Sequence, residues 1–145
     1  MVAIINYGLG NLGSIANMLK VIGEKSVITA EKNEIEAADR IILPGVGAFD
    51  AGMESDLKVP HMGWDIVTFQ QKNPLLEEIE GTQRYYFVHS YHARCDAPEN
   101  VLMTCDYGYE FAAAVVQDNI YGVQFHPEKS HDFGMALLNN FVKRC

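Results

Sequence analysis

The sequence predicts an α/β fold, with a mostly parallel sheet in its first half and antiparallel strands in its second half. Two patterns carry this prediction. In residues 2–43, apolar runs that suit buried strands alternate with stretches of helical periodicity. In residues 85–125, short runs rich in aromatic and β-branched side chains follow one another without a helical stretch between them. The chain has 145 residues, of which 48% are hydrophobic and 21% charged, and this suits one domain with one core.

The first half predicts strand, helix, strand, helix and strand, in that order. Residues 2–6, 26–30 and 41–43 are the apolar runs that suit strands. Between the first two, apolar residues recur at helical spacing, and Gly23 is well placed to end that helix. Residues 31–38 suit a second, shorter helix. This alternation is the signature of a parallel sheet flanked by helices.

The second half predicts four strands and a final helix. The strands are expected at residues 85–88, 101–105, 111–116 and 120–125, and Asp118-Asn119 suits a hairpin turn between the last two. The helix is expected from about residue 130 to about residue 143, with Ser130 as a possible N-cap. Its predicted core face consists of Phe133, Ala136, Leu137 and Phe141.

Charge and cysteine usage narrow the class of protein. The formal net charge is -8, which argues against nucleic acid or an anionic membrane as the main partner. No apolar run approaches the ~20 residues that cross a bilayer, and the N-terminus has no basic segment typical of a signal peptide. Cys95, Cys105 and Cys145 are an odd number without tight spacing, so we expect no disulfide framework and a cytoplasmic location.

Two glycine motifs each follow a predicted strand. Residues 8–13 match G-x-G-x-x-G and open a helix, with Glu31 near the end of the second strand, so a dinucleotide site is one interpretation. The alternative is that these glycines only make a tight turn. Residues 44–47 read Pro-Gly-Val-Gly, and their backbone N–H groups either hold an oxyanion or form a plain turn.

A histidine and a carboxylate close the last predicted strand. Glu128 follows His126 by two residues, and Pro127 stiffens the link between them, so the carboxylate can hold and polarise the histidine. A metal site formed with His131 is the alternative, but no fourth ligand is evident and no metal is predicted. His61 is expected to be structural, and His92 and His131 are expected at the surface.

Five segments occur together in an order that resembles one family. The chain resembles the class I glutamine amidotransferases, and among them the glutaminase subunits of imidazole glycerol phosphate synthase, an enzyme of histidine biosynthesis. The matching segments span almost the whole chain, and they are residues 6–11, 43–49, 58–64, 86–91 and 121–131. The resemblance implies the class I amidotransferase fold over residues 1–145, no cofactor, and a lyase as the assembled synthase.

The resemblance implies a glutaminase reaction in which a cysteine thiolate attacks the side-chain amide of glutamine. His126 matches the histidine that activates the thiol and protonates the departing ammonia, and Glu128 matches the carboxylate that orients it. The backbone of Val46 and Gly47 matches the oxyanion-binding segment. The segment that holds the amino-acid end of glutamine is matched by His89, Ser90 and Tyr91.

The resemblance also implies a partner. Asn11, Tyr86 and Lys129 match positions that face the cyclase, which is a (β/α)₈ barrel that receives the ammonia in a heterodimer. On this reading, the glycines of residues 8–13 lie at the interface with the cyclase and bind no nucleotide. A relative that supplies ammonia to a different barrel, for amination in cell-surface sugar biosynthesis, remains an alternative.

One block of the family pattern is missing from the sequence. In the family, a strand, an elbow with the nucleophilic cysteine and a helix lie between the positions of Met53 and Lys58. Here only four residues fill that interval, and glycine-x-cysteine-x-glycine occurs nowhere in the chain. We therefore expect either that a segment between about 53 and 58 is missing from an ordinary glutaminase, or that this is a non-catalytic subunit. The chain as written is expected to have no glutaminase activity.

Overall fold

A computed structural model describes residues 1–45 and 60–145 of the chain, and the structural statements below refer to these residues. Its first part contains a parallel sheet of three strands in the order β2-β1-β3. The interval between Met53 and Lys58, where a segment is expected to be missing, lies outside the described residues. The elements of the first part are β1 (Val2–Ile5), α1 (Leu12–Val21), β2 (Ser26–Thr29), α2 (Lys32–Glu36) and β3 (Arg40–Ile42).

The second part contains an antiparallel sheet of five strands in the order β5-β4-β6-β7-β8. Three short 3₁₀ turns lie at Pro74–Leu76, Pro98–Asn100 and Pro127–Lys129. The longer elements are β4 (His61–Phe69), β5 (Gln83–His89), β6 (Val101–Asp106), β7 (Glu110–Gln117), β8 (Ile120–Val123) and α3 (His131–Arg144). The predicted α/β class, with parallel strands first and antiparallel strands after, is confirmed.

Helix α3 packs against both sheets. Leu137 lies in the apolar cluster of the antiparallel sheet, with fully buried Tyr85 and Phe87 on β5. Val142 lies in the cluster formed by β1 and α1, and the ring of Phe141 packs against both clusters. The final helix therefore holds the two sheets against each other, and it begins directly after the turn that carries His126 and Glu128.

The predicted core face of α3 is only partly right. Leu137 is buried and both phenylalanines pack against the core, but the most buried side of the helix is rotated toward other residues. Asn140 is buried because its amide donates to the carbonyls of Leu75 and Glu77, at 3.1 and 2.7 Å. The helix thus has apolar contacts on two sides, which a single-face pattern does not describe. Its buried residues are Gly134, Leu137, Leu138, Asn140 and Val142.

Strand β3 leaves one edge of the parallel sheet unpaired within the described part of the chain. It pairs with β1 through Arg40, Ile41 and Ile42, and no strand of residues 1–45 or 60–145 pairs with its other edge. The side chain of Ile41 is 50% exposed and that of Leu43 is 70% exposed. Parallel sheets are normally covered on both faces, so the exposure of these two side chains marks a part of the sheet that residues 1–45 and 60–145 cover incompletely. No helix among the described residues is long and apolar enough to span a membrane.

Candidate active site

The histidine and the carboxylate that end the antiparallel sheet form a close pair. His126 follows β8, and its Nδ1 atom lies 2.8 Å from Oε1 of Glu128. The backbone N–H of His126 donates to the Tyr86 carbonyl at 2.9 Å, and this hydrogen bond fixes the backbone of His126 relative to β5. Pro127 begins a single 3₁₀ turn, which brings the Glu128 side chain to the His126 imidazole. The geometry confirms that the two side chains predicted to act together are in contact.

Ser130 fixes this turn from inside the protein. It is fully buried, and its hydroxyl donates to the His126 carbonyl at 2.6 Å and accepts from the Tyr86 N–H at 3.0 Å. Ser130 is the residue before α3, as predicted for an N-cap, but its side chain makes no capping hydrogen bond to the helix. The hydroxyl ties the His126 turn to β5 instead. A local pattern cannot show this bond, because its partner on β5 is 44 residues away.

Gly134 lets α3 approach the same turn closely. A Cβ atom on Gly134 would overlap the carbonyl oxygen of Pro127 and would lie 2.7 Å from its carbonyl carbon. The backbone N–H of Gly134 donates to the Ser130 carbonyl at 3.1 Å. A glycine inside a helix normally costs stability, and here the close backbone approach explains its presence. The position of His126 therefore depends on a residue that no sequence motif had identified.

The carboxyl of Glu128 is ionised at neutral pH. Burial alone would raise its pKa, but the hydrogen bond from His126 and the backbone N–H of Glu128 outweigh burial and leave the pKa below its usual value. A carboxylate only accepts hydrogen bonds, so Nδ1 of His126 carries the ring proton that points at it. Nε2 of His126 is then the atom left to exchange a proton with a substrate or a nucleophile.

Replacing Glu128 with glutamine is expected to remove part of the resistance to acid. The pKa of Glu128 is lower in the folded than in the unfolded protein, so its stabilising effect is complete above about pH 4.3 and is lost as the pH falls through the folded-state pKa. The difference in unfolding free energy between wild type and variant should therefore shrink on acidification. Urea unfolding at several pH values measures it. The exposed Glu34→Gln substitution is the control, and a constant difference for Glu128→Gln would contradict the prediction.

The segment expected to hold glutamine leaves the end of β5. His89 is buried at the last position of the strand, and its Nδ1 lies 3.0 Å from the carbonyl oxygen of Tyr91. The hydroxyl oxygen of Ser90 is buried and has no hydrogen-bond partner in the described part of the chain, while the Tyr91 side chain is exposed. An unpaired buried hydroxyl is costly unless a ligand satisfies it. The chain thus has a free polar group beside His89, where the sequence predicted a substrate segment.

The three residues expected to face a partner lie around the turn and at the start of α1. The ammonium group of Lys129 lies 5.8 Å from the ring centre of Tyr86. Asn11 is exposed at the N-terminal end of α1, where its side chain makes no capping hydrogen bond. The structure therefore brings Tyr86 and Lys129 together beside His126.

The two glycine motifs contact each other. Gly8 and Gly10 have φ angles of +84° and +92°, which glycine adopts readily, and a Cβ on Gly10 would lie 2.8 Å from the Cβ of Pro44. The hydroxyl of Tyr7 donates to the Pro44 carbonyl. These glycines therefore form a tight turn, and the lack of a side chain at Gly10 leaves room for Pro44. The predicted oxyanion residues, Val46 and Gly47, lie outside the described residues.

The cysteines have surroundings that do not suit a nucleophile. Cys105 is buried on β6, and burial raises the pKa of its thiol to about 12, with smaller effects of Asp65 and Asp106. A thiol must ionise to attack, so this environment keeps Cys105 inert. Cys95 is half-buried in the connection after β5, and Cys145 ends the chain. All three thiols are free.

The metal alternative receives no support from the position of His131. Its exposed ring stacks on Trp64, with ring centres 5.6 Å apart, whereas His126 pairs with Glu128 alone. Among residues 1–45 and 60–145, no three histidine, cysteine, aspartate or glutamate side chains are grouped as metal ligands. His92 is half-buried, with its ring 5.1 Å from that of Phe111, so it is less exposed than expected.

Comparison with known proteins places the chain in one family. The family model for "Glutamine amidotransferase class-I" matches residues 48–145. The chain belongs to the class I glutamine amidotransferase family. Two solved structures show the same fold at a TM-score of 0.77, with 14% and 12% identity: a Thermoplasma acidophilum protein assigned to GMP synthase, and PurLQS from Thermotoga maritima. They cover 99% and 97% of this chain, and the chain covers 92% and 96% of theirs.

The curated relatives narrow the comparison within the family. The chain is 39% identical over 202 residues to imidazole glycerol phosphate synthase subunit HisH 2 of Methanococcus maripaludis, with full coverage of both chains. It is 38% identical over 200 residues to subunit HisH 2 of Pseudomonas aeruginosa, with 99% of each chain covered. HisH of Sulfurimonas denitrificans is 34% identical over 203 residues. The suspected resemblance to these glutaminase subunits is confirmed.

Proposed function

We propose that this chain is the glutaminase subunit of an imidazole glycerol phosphate synthase. Glutamine is hydrolysed to glutamate and ammonia, and the ammonia passes to a cyclase subunit that makes imidazole glycerol phosphate and AICAR in histidine biosynthesis. The observation that carries the proposal is the His126–Glu128 pair, 2.8 Å apart, in a chain that resembles HisH subunits over its full length. Such a pair activates a thiol and then protonates a leaving amine.

Each site residue has a distinct role in this reaction. His126 removes the proton from the thiol and gives it to ammonia through Nε2, while Glu128 keeps Nδ1 protonated and stabilises the imidazolium that forms. His89, Ser90 and Tyr91 hold the amino-acid end of glutamine, and the unpaired Ser90 hydroxyl is free for that purpose. Val46 and Gly47 supply the backbone N–H groups that bind the oxyanion. We assign no cofactor and no metal to the reaction.

The partner surface supports a heterodimer. Lys129 and Tyr86 lie together beside the turn of His126, and Asn11 precedes the first residue of α1 in the other half of the molecule. These three residues would face a (β/α)₈-barrel cyclase that takes up the ammonia directly. Channelling keeps ammonia from protonation in bulk water. We place this biosynthetic complex in the cytoplasm.

We also propose that the 145 residues are a single amidotransferase domain from which an internal segment, between about Met53 and Lys58, is missing. Two observations support this. The relatives align over 200 and 202 positions although the chain has 145 residues, so they contain residues without a counterpart here. In addition, the edge of β3 is unpaired in the described part of the chain, and a neighbouring strand from such a segment would cover it.

A non-catalytic subunit is the second candidate, and one observation favours it. No cysteine of the chain stands in a glycine-x-cysteine-x-glycine elbow, and loss of a nucleophile removes nearly all chemistry from such a site. Intact mass of the native protein separates the two candidates. A mass matching 16.2 kDa favours the non-catalytic subunit, whereas a larger mass favours the missing segment.

Ammonia release from glutamine tests the function. The chain as written and a chain that carries the corresponding segment of the Pseudomonas aeruginosa relative after Met53 are each assayed with and without a cyclase subunit. We expect no turnover from the first, and turnover that the cyclase stimulates from the second. Turnover by the first would contradict the need for the segment. A folded, cyclase-bound second chain without turnover would contradict the glutaminase assignment.

A further inference from the structure

Three buried or half-buried side chains lead from β4 to the backbone of the glutamine-binding segment. His61 and His89 are directly opposite each other on β4 and β5, and their rings are joined by a 3.0 Å contact from Nδ1 of His61 to Nε2 of His89. The other nitrogen of His61 lies 3.2 Å from Oδ2 of Asp65, and the other nitrogen of His89 lies 3.0 Å from the Tyr91 carbonyl. His61 is 5% exposed and His89 is 6% exposed.

The packing around His61 holds its ring in this orientation. The ring stacks against Tyr107 and Phe87, with ring centres 4.0 and 4.8 Å apart and interplanar angles of 15° and 14°. Gly63, between His61 and Asp65 on the strand, has a φ of +146° that side-chain-bearing residues rarely adopt. The two polar residues therefore meet on a strand whose backbone departs from regular geometry.

The contacts require one more proton than two neutral histidines carry. The chain of contacts ends at a carboxylate of Asp65 on one side and at the Tyr91 carbonyl on the other, and both ends only accept hydrogen bonds. Each of the three contacts needs one proton, and two neutral imidazoles supply two. All three contacts are made at once only when the pair of rings takes up a third proton from water. The imidazolium then faces the Asp65 carboxylate, so the added charge is balanced.

We propose that Asp65, His61 and His89 form a positioning relay, in which the placement of the ring protons decides whether His89 donates to the Tyr91 carbonyl. With two protons, the carboxylate is the stronger acceptor and draws both protons toward itself. Nδ1 of His89 then carries no proton and makes no hydrogen bond to the Tyr91 carbonyl oxygen. The segment of residues 89–91 is no longer held by this contact. With three protons, His89 donates to Tyr91 and the segment is held.

Burial favours the uncharged form of the relay, and other ionisable groups also face it. Burial lowers the pKa of His61, which Asp65 partly offsets. Burial likewise lowers the pKa of His89 to about 4, with His61, His92 and His126 adding to the effect and the Tyr91 carbonyl opposing it. From β6, the buried thiol of Cys105 lies within the electrostatic influence of Asp65. The phenol of Tyr107 completes this set of ionisable groups. The third proton therefore enters below neutral pH.

The consequence for substrate binding rests on the proposed function. Ser90 lies between the two residues that the relay connects, and its buried hydroxyl has no partner within the described chain. Fixing the Tyr91 carbonyl fixes the backbone on which this hydroxyl is carried. The relay thus acts on glutamine affinity through the segment of residues 89–91, and neither Asp65 nor His61 needs to touch the substrate.

An Asp65→Asn variant separates the relay from a purely structural histidine pair. The asparagine amide donates to Nε2 of His61, so His61 donates to His89 and His89 donates to Tyr91 with only two ring protons. Ring-nitrogen NMR of the full chain is recorded from about pH 8 to about pH 3, a range that extends below the lowered pKa of His89. In the wild type we expect Nδ1 of His89 to gain its proton in one step that the Tyr91 amide signal follows. In Asp65→Asn, Nδ1 should be protonated throughout.

The wild-type measurement alone can overturn the relay, because Nδ1 protonated at every pH contradicts it without any variant. An unchanged step in Asp65→Asn contradicts it too. His92→Gln is the matched control, and it should leave the step in place; loss of the step there would assign it to His92. Glutamine affinity of the wild type should change about fivefold across the step, the equivalent of one net hydrogen bond. If the step occurs and the chain that carries the cysteine segment does not bind glutamine, the relay stands and the proposed function fails.

Discussion

Replacing Gly134 with alanine is expected to lower the free energy of unfolding by about 3 kcal/mol or more, at the upper end of the cost of overpacking. The added methyl group would overlap the Pro127 carbonyl, and its neighbours at 2.7 and 3.0 Å are the carbonyl carbon and Cα of Pro127. Backbone atoms cannot turn aside as a flexible side chain can. The methyl group therefore displaces either α3 or the turn that carries His126 and Glu128.

Gly13→Ala provides the matched control for this prediction. Gly13 also lies in a helix, α1, and a Cβ there would meet nothing within 4 Å. Alanine is favoured over glycine in a helix by roughly 0.5–1 kcal/mol, so this variant should be slightly more stable than the wild type. Urea unfolding measures both variants, and the ring signals of His126 report displacement of the turn. Equal stability of Gly134→Ala and the wild type would contradict the close packing seen here.

Replacing His126 with alanine is expected to abolish glutamine hydrolysis in the chain that carries the cysteine segment. In the proposed reaction, the imidazole moves the proton from the thiol to the departing ammonia, and triads of this kind lose about 10⁴-fold or more without their base. The contact with Glu128 and the hydrogen bond from the His126 N–H to the Tyr86 carbonyl hold the residue in position. Ammonia release at saturating glutamine, in complex with the cyclase subunit, is the measurement.

His131→Gln is the control for the loss of a histidine near the turn. The His131 ring is exposed and stacks on Trp64, so its replacement should leave hydrolysis close to the wild-type rate. The same assay with His126→Gln tests whether any hydrogen-bonding group suffices. Unchanged turnover in His126→Ala would remove this residue from the mechanism. A loss in His131→Gln as large as that in His126→Ala would show that the substitutions act through folding.

Local patterns predicted most of the elements, because the parallel half alternates apolar strands with an amphipathic helix. β1 and β2 begin at their predicted first residues, α1 lies between them and ends just before Gly23, and the hairpin at Asp118 has the positive φ that such a turn requires. The His126–Glu128 contact was also predictable, since the proline between the two residues restricts the backbone and so keeps their side chains close. Short-range geometry was sufficient for these features.

The sequence did not predict β4, the longest strand among the described residues. Its inward positions include His61, Gly63 and Asp65, while Met62 and Trp64 point outward and are exposed. The usual alternation of apolar and polar residues is therefore reversed over part of the strand. The pattern failed because the inward residues satisfy each other by hydrogen bonds, one of which joins β4 to β5.

Contacts between distant residues explain the remaining differences. Ser130 looked like a helix cap, yet its hydroxyl bonds the backbone of β5, and Gly134 had no predicted role although it sets the distance between α3 and Pro127. A glycine within a predicted helix was the signal that could have identified the second feature. The proposed substrate segment rests on the resemblance alone, since a buried unpaired hydroxyl has no signature in a single sequence.

The edge of β3, which no strand pairs with among the residues that the structure describes, has a consequence for how the protein assembles. Its backbone N–H and C=O groups are a template for one more strand, and Ile41 and Leu43 stand beside that template. Such an edge can pair with a strand from another molecule as well as with one from its own chain. The edge of β3 that a strand of the missing segment would pair with can therefore also pair two molecules with each other. Protein concentration, and not only sequence, then decides whether the sheet is closed within one molecule or between two.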